Sequence, residues 1–343
     1  MDDVEVLRHN PDNATTVVVE RVRTAAGTRV RKELRRTGAA TSAPAPAHWA
    51  SSEDPAHWNS WRREADAYRD PSLRASLAGT GLAMPAADVV EHPGGATLLL
   101  EDVTGTAGPD FSLDDHVATA AALGRWQGRP APRPGWASRR WLRQYSTSRP
   151  ADLSVVDDDT AWAHPLVRGT WPDGLRDGWR HLLAHRAQLL DAAEQLPRAL
   201  CHLDAWASNA VRRPDGEVVL LDWAFAGDGA VGEDLGNWLP DNVFDLFWPA
   251  DRLAEAEAAC LPAYVAGLRA SGWAGSEGDV RLGVLVSAVK YTWLLPLLLT
   301  RAAAADHRAY HRPAEARHLY RERGAALAHL AGWAREAVDV LGR

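Results

Sequence analysis

From Thr15 to Arg23 the chain reads Thr-Thr-Val-Val-Val-Glu-Arg-Val-Arg, and after Ala25-Ala26-Gly27 the stretch Thr28 to Leu34 alternates again. β-Branched residues on a period of two, broken by a small-residue turn, predict a β-hairpin. A Pro/Ala/Ser-rich stretch from Thr37 to Pro55, with Pro44 and Pro46 inside it, reads as a loop. Asn59 then stands as an N-cap for a helix over Ser60 to Asp70, where Trp61, Ala65 and Tyr68 fall at helical spacing. Val89 to Glu91, a turn at His92-Pro93-Gly94-Gly95, and Ala96 to Leu100 predict a second hairpin, followed by a polar linker from Glu101 to Pro109.

Beyond the linker the period changes to that of helices. Leu113 to Gln127, Asp173 to Leu196, Leu253 to Ala270, Val280 to Thr300 and Pro313 to Leu341 all carry it, and only Ala199 to Leu221 is strand-like. The expected architecture is α+β: a small, mainly β lobe over residues 1–102 and a larger, mainly helical lobe over 103–343. The length of 343 residues fits two cores better than one. With 46% hydrophobic and 24% charged residues, the composition excludes disordered and fibrous classes.

Two cysteines, Cys201 and Cys260, show neither a disulfide framework nor paired metal-ligand spacing, so a reducing compartment is expected. The acidic Met1-Asp2-Asp3-Val4-Glu5 start lacks the basic and apolar parts of an export signal. The longest apolar run, Trp293 to Thr300, is far short of the roughly 20 residues of a membrane span and reads as a buried helix kinked at Pro296. A cytoplasmic protein with no membrane partner is the expectation. A net charge of −7, with acids mixed among the arginines, argues against a nucleic-acid partner. Only two of the 38 basic residues are lysines, Lys32 and Lys290, and in a chain that otherwise writes arginine such exceptions point to chemistry arginine cannot replace.

The strand-like patch contains Cys201-His202-Leu203-Asp204-Ala205-Trp206-Ala207-Ser208-Asn209, a turn at Pro214-Asp215-Gly216, and Val218-Val219-Leu220-Leu221-Asp222-Trp223. An Asp, an Asn five residues on, and a second Asp ending an apolar strand are what phosphoryl transfer needs. One carboxylate orients the acceptor and takes its proton, while other oxygens hold magnesium against the phosphates.

His-x-Asp-x-x-x-x-Asn followed by a strand and Asp resembles the catalytic loop and metal-binding segment of the aminoglycoside phosphotransferase and choline kinase families, distant relatives of protein kinases. The stretch Gly227 to Gly236, ending in Asp234-Leu235-Gly236, is similar to the glycine-punctuated segment of the aminoglycoside branch. The resemblance implies a two-lobed protein-kinase-like fold. Under it Asp204 is the catalytic base, Asn209 and Asp222 are magnesium ligands, and His202 braces the loop. Leu203 replaces a glycine common in the family, and Trp223 stands where protein kinases have Phe.

The fold it implies needs a lysine on the third strand paired with a glutamate from the next helix, and Lys32 and Glu64 hold those positions. Asn10 to Thr16 offers backbone amides and the Thr15 and Thr16 hydroxyls to phosphate oxygens, with an ordinary hairpin turn as the open alternative. Glu101-Asp102-Val103 resembles the hinge whose backbone receives a purine. Trp206, two residues past the base, is a candidate wall for the acceptor.

From Asp222 to Asp251 the chain holds seven carboxylates, Asp234 and Asp241 among them, and no lysine or arginine. This run predicts a negative acceptor side that favours cationic or hydroxyl-rich molecules. The implied function is transfer of the terminal phosphoryl group of ATP or GTP, with Mg2+, to a hydroxyl of a sugar-, aminocyclitol- or nucleoside-containing small molecule. Antibiotic resistance and metabolite activation are both open roles. A protein-kinase role is disfavoured, because no long activation segment or Ala-Pro-Glu motif follows Asp222. The alternative is a non-catalytic, pseudokinase-like nucleotide-binding regulator.

Overall fold

The structure, a computed structural model, describes residues 3–25, 27–39, 45–130, 133–309 and 312–342. Strands β1 (Asp3–Val6), β2 (Thr16–Thr24) and β3 (Gly27–Arg35) lead into the short helices α1 (Arg63–Arg69) and α2 (Pro71–Leu77). After β4 (Leu82–Ala83), strands β5 (Ala87–His92) and β6 (Gly95–Glu101) complete an antiparallel five-stranded sheet in the order β1-β2-β3-β6-β5. Both expected hairpins are present. Residue 26 of the first turn and residues 40–44 of the Pro/Ala/Ser-rich stretch, Pro44 included, lie outside the described residues.

The period of two puts Lys32 and Leu34 on the buried face of β3, and Lys32 pairs in register with Val19 on one side and Leu98 on the other. Asn59 does not cap α1. The helix begins after Arg62 with no side-chain cap, and Asn59, buried, donates its amide to the Trp49 carbonyl at 2.8 Å. Asp70 caps α2 instead, accepting from the Ser72 amide at 2.8 Å, with Pro71 at the first helical position.

The second half opens with β7 (Thr106–Ala107) and α3 (Leu113–Gln127), whose Ser112 and Asp115 form a capping box. Then come β8 (Ser138–Arg139), α4 (Trp141–Ser148), the short helices α5 (Asp159–Ala163) and α6 (Pro165–Arg168), and α7 (Leu175–Gln195). Strands β9 (Arg198–Cys201), β10 (Ala210–Arg212), β11 (Val218–Leu220) and β12 (Gly227–Ala230) follow. The chain ends in α8 (Glu233–Phe244), α9 (Leu253–Ala270), α10 (Glu277–Val286), α11 (Leu294–Arg301), the hairpin β13 (Arg308–Ala309) and β14 (Arg312–Pro313), and α12 (Ala316–Leu341).

The small sheet β4-β11-β10-β7 joins the two halves, because β4 runs parallel to β11 while β10 pairs with β7. Helices α3 and α9 pack backbone to backbone: a Cβ on Gly124 would lie 2.1 Å from the Tyr264 carbonyl oxygen, and one on Gly267 2.2 Å from that of Ala121. The expected helical stretch over Val280 to Thr300 is two helices, α10 and α11, separated by a 3-10 segment at Ser287–Tyr291, and the run Trp293 to Thr300 expected to kink at Pro296 falls in α11. Pro296 is not the break. It sits in the first turn of α11, where its missing N–H has no intrahelical partner to lose. Glu277–Arg301 is long and apolar enough to cross a membrane by composition, but 89% of its most apolar window is buried within the fold.

Candidate active site

β9 delivers the chain into a loop whose backbone is fixed before any side chain faces the cleft. The carboxylate of Asp234, in the first turn of α8, accepts from the amides of His202 at 2.8 Å and Leu203 at 2.7 Å and from Gln127 Nε2 at 2.6 Å. Leu203 adopts a left-handed backbone with φ of 62° and is fully buried. Its side chain adds packing, but the conformation is one glycine takes without strain. His202 Nε2 lies 2.9 Å from the Leu221 carbonyl oxygen and its ring meets Trp223 edge-on, which ties the loop to the end of β11. Burial pushes the His202 imidazole down to about 4, so it is neutral and acts as a brace.

Asp204 and Asn209 face each other across this loop. Asn209 Nδ2 donates to Asp204 Oδ2 at 2.8 Å and to the Asp204 carbonyl at 3.1 Å, while the Asn209 backbone carbonyl accepts from the Leu221 amide at 2.8 Å, so the side-chain Oδ1 is the oxygen available as a ligand. Burial raises the Asp204 carboxyl to about 7, against the opposing charge of Lys290. Asp222 follows β11 with φ of 57°, and its Oδ1 lies 3.0 Å from Lys32 Nζ. Lys32 Nζ is also 2.7 Å from Glu64 Oε2, where α1 packs on the sheet. Burial pushes the Asp222 carboxyl up, but the charge and hydrogen bond of Lys32 outweigh it and hold the group below its usual range. Glu64 shows the reverse balance: burial, only partly countered by Lys32, raises it to about 7.

One cavity of about 920 Å3 collects Lys32, Glu64, Asp204, Asn209 and Asp222. Thr16, Glu101, Val103, Trp206 and Asp241 also line it. The Glu101 side chain is occupied by Arg213 at 2.6 Å and the Ala86 amide at 3.1 Å, and its own amide donates to the Ala86 carbonyl at 2.8 Å. Trp206 stacks on Phe247 with ring centroids 6.3 Å apart.

Two expected site residues are elsewhere. Thr15 is buried, its hydroxyl donating to Asn13 Oδ1 at 2.9 Å and its carbonyl accepting from the Arg35 amide at 2.8 Å, so it closes the turn and faces no ligand. Asp234 is fully buried beneath the loop, where three donors consume its oxygens, and so it cannot bind an acceptor.

The acidic run also resolves differently from its sequence pattern. Of its seven carboxylates, Asp222, Asp241 and Asp245 line the cavity, and each faces a cation. Lys32 meets Asp222, Lys290 Nζ donates to Asp241 at 2.9 Å, and Arg323 stands 3.9 Å from Asp245. The other basic and aromatic lining was not assigned from sequence: Arg149, Trp49, Tyr145, Tyr291 and Trp293 come from segments far apart in the chain. The rarity of lysine was the one signal that marked Lys290.

No family model matches the sequence, and no curated protein matches it. Solved structures do. The amicoumacin kinase hAmiN, solved with AMP-PNP, Ca2+ and Ami, is 16% identical with a TM-score of 0.54, over 98% of this chain and 88% of its own. A choline/ethanolamine kinase family protein from Mesorhizobium loti is 18% identical with a TM-score of 0.51, over 98% and 92%. The choline kinase LicA from Streptococcus pneumoniae is 13% identical with a TM-score of 0.51, over 95% and 93%. The chain has the two-lobed protein-kinase-like fold that these structures share, with the sheet in its N-terminal part and the helices in its C-terminal part.

Proposed function

We propose that this protein is a small-molecule O-phosphotransferase that moves the terminal phosphoryl group of ATP or GTP to an acceptor hydroxyl. The observation that carries the reading is the meeting of Asp204, Asn209, Asp222 and the Lys32–Glu64 pair in one cavity, from segments up to 190 residues apart. Of the three similar solved structures, one is named an amicoumacin kinase, one a choline kinase and one a choline/ethanolamine kinase family protein.

Magnesium fits the donors. Asn209 Oδ1 and the ionised Asp222 are hard oxygen ligands, and Mg2+ is usually held by one or two carboxylates together with substrate phosphates. Among the described residues no three His, Cys, Asp or Glu side chains form a metal cluster of their own, which suits a shared ion of that kind. The ion would neutralise charge on the phosphates. Lys32, steadied by Glu64, contacts the phosphate chain, and Thr16 with the backbone of Asn10–Asn13 covers it. The backbone of Glu101 and Val103 receives the purine. Asp204, poised near neutrality, orients the acceptor hydroxyl and takes its proton as transfer proceeds. Trp206 and Asp241 stand on the acceptor side, and the lobe boundary is assigned to residue 102.

Mass spectrometry of a panel of sugar-, aminocyclitol- and nucleoside-containing hydroxyl compounds, incubated with Mg·ATP or Mg·GTP, tests the reading. A product heavier by one phosphoryl group is expected. Tight nucleotide binding with no product on any acceptor would favour the non-catalytic regulator.

A further inference from the structure

We infer that Arg149 is an oxyanion-recognising residue of this cleft, held ready by three aromatic rings for a phosphoryl or carboxylate group of a bound ligand. Its guanidinium carbon lies 4.2 Å from the ring centre of Trp49, 4.4 Å from that of Tyr145 and 5.1 Å from that of Trp293. The rings come from the 3-10 turn Ala47–Trp49, from α4 and from the residue before α11, so the fold converges on this side chain from three directions. Arg149 also donates to the Tyr145 hydroxyl. All four residues line the cavity that holds Asp204 and Lys32.

What separates Arg149 from its neighbours is charge. Lys32, Lys290, Arg21, Arg301, Arg308 and Arg323 line the same cavity, and each stands within 4 Å of a carboxylate. Among the described residues no carboxylate lies within that distance of Arg149, and its buried Nε has no hydrogen-bond acceptor. Aromatic faces attract a guanidinium but leave its in-plane N–H donors unused. The buried Nε is a donor that water does not reach, and leaving it without an acceptor is unfavourable unless a ligand supplies one. Planar donors match a phosphoryl group or a carboxylate two bonds at a time.

Two ligands can bring that chemistry to the cleft: the terminal phosphoryl group of the nucleotide, or an acidic group on the acceptor. The inference rests on the phosphotransferase reading for the identity of the cleft, and its test separates the two ideas. Calorimetric titrations of Mg·ADP and Mg·AMP-PNP would be made on the wild type, Arg149→Lys and Arg149→Met. Benzoate would be titrated into each protein, with and without Mg·ADP, and followed by tryptophan fluorescence, since two of the three rings are indoles.

If the nucleotide is the source, Arg149→Met loses about tenfold or more in AMP-PNP affinity and keeps its ADP affinity, the size expected for a lost charge-assisted bond. If the acceptor is the source, both nucleotides bind as before and benzoate affinity falls by a similar factor. Arg149→Lys should lie between, because it keeps the charge and loses the fork. Three proteins alike in both titrations would overturn the assignment. So would an equal loss for ADP and AMP-PNP with benzoate unchanged, which marks general loosening. A wild type that binds no magnesium nucleotide would sink the phosphotransferase reading, whereas the nucleotide-free benzoate titration would still judge Arg149.

Discussion

The Lys32 ammonium stands between two carboxylates, 2.7 Å from Glu64 and 3.0 Å from Asp222, in a niche that leaves it 5% exposed. A compact charge on a flexible stem meets both at once, while a planar guanidinium spreads its donors over a wider, rigid fork. Lys32→Arg is therefore expected to lower kcat/KM for ATP nearly as far as Lys32→Ala, by about 10- to 100-fold, the equivalent of one charge-assisted hydrogen bond. An arginine variant with full activity would remove the lysine from the reaction. Asp204 gives a complementary test. Its Asn209 bond lets Asp204→Asn keep the loop, so nucleotide affinity should hold while turnover falls by roughly 10²- to 10⁴-fold, the usual scale of general-base catalysis. Asp204, Asn209 and Asp222 were legible in the sequence because a loop and a strand fix their spacing locally, and Lys32 and Glu64 because a strand and the next helix do. Arg149 was not. Its meaning depends on Trp49 and Trp293, which neither period nor motif links to it.

Among the helices, Glu257 of α9 is the point where three elements are tied. Its carboxylate accepts from His329 Nε2 at 2.5 Å and Trp333 Nε1 at 2.8 Å on α12, and it pairs with Arg281 of α10, which also reaches Glu336 at 2.7 Å. Burial pushes the Glu257 carboxyl up, but the bonds from His329, Arg281 and Trp333 outweigh it and bring it down to about 2. A carboxyl whose folded value lies below its unfolded one, about 4.3, binds fewer protons when folded. Its stabilisation is full above that unfolded value and is lost as pH falls towards 2. Glu257→Gln should thus cost about 3 kcal/mol near neutrality, by the usual 1.36 kcal/mol per unit, and flatten the acid limb of the stability curve between about pH 4.5 and 2. Urea midpoints at pH 7 and pH 3 check it; a variant whose loss is equal at both would refute the linkage. The long helices α3, α7, α9 and α12 were readable because each hides one stripe. Helix α8 was not, since it carries Gly236 and Pro240 and is buried on nearly every side, so no period stands out.

At the scale of the whole molecule, the cavity is walled by both halves of the chain: Leu7–Asn13 and Leu100–Val103 from the sheet side, Asp204, Trp206, Asn209, Val211 and Asp222 from the helical side. A nucleotide bound there with magnesium touches both, so its binding free energy adds to the stability of the assembled protein and is absent from the unfolded chain. At a hundred times its Kd a ligand contributes about 2.7 kcal/mol. With an unfolding entropy of about 2.1 cal/mol/K per residue over 343 residues, that corresponds to a rise in Tm of about 3–4 °C. Removing magnesium with a chelator should cancel most of the rise. Asp222→Ala should cancel more of it than Asn209→Ala, because the carboxylate brings charge as well as an oxygen, while the amide brings an oxygen alone. Asp222→Ala also strips Lys32 of one partner and shifts the ligand-free Tm. The comparison is therefore the rise on adding Mg·AMP-PNP within each variant, in which that shift cancels. The wild type should gain the full 3–4 °C, Asn209→Ala about half of it, and Asp222→Ala less than about 1 °C. Small and equal losses in the two variants would place the metal away from the Asp204 loop, and with it the reaction proposed for this cleft.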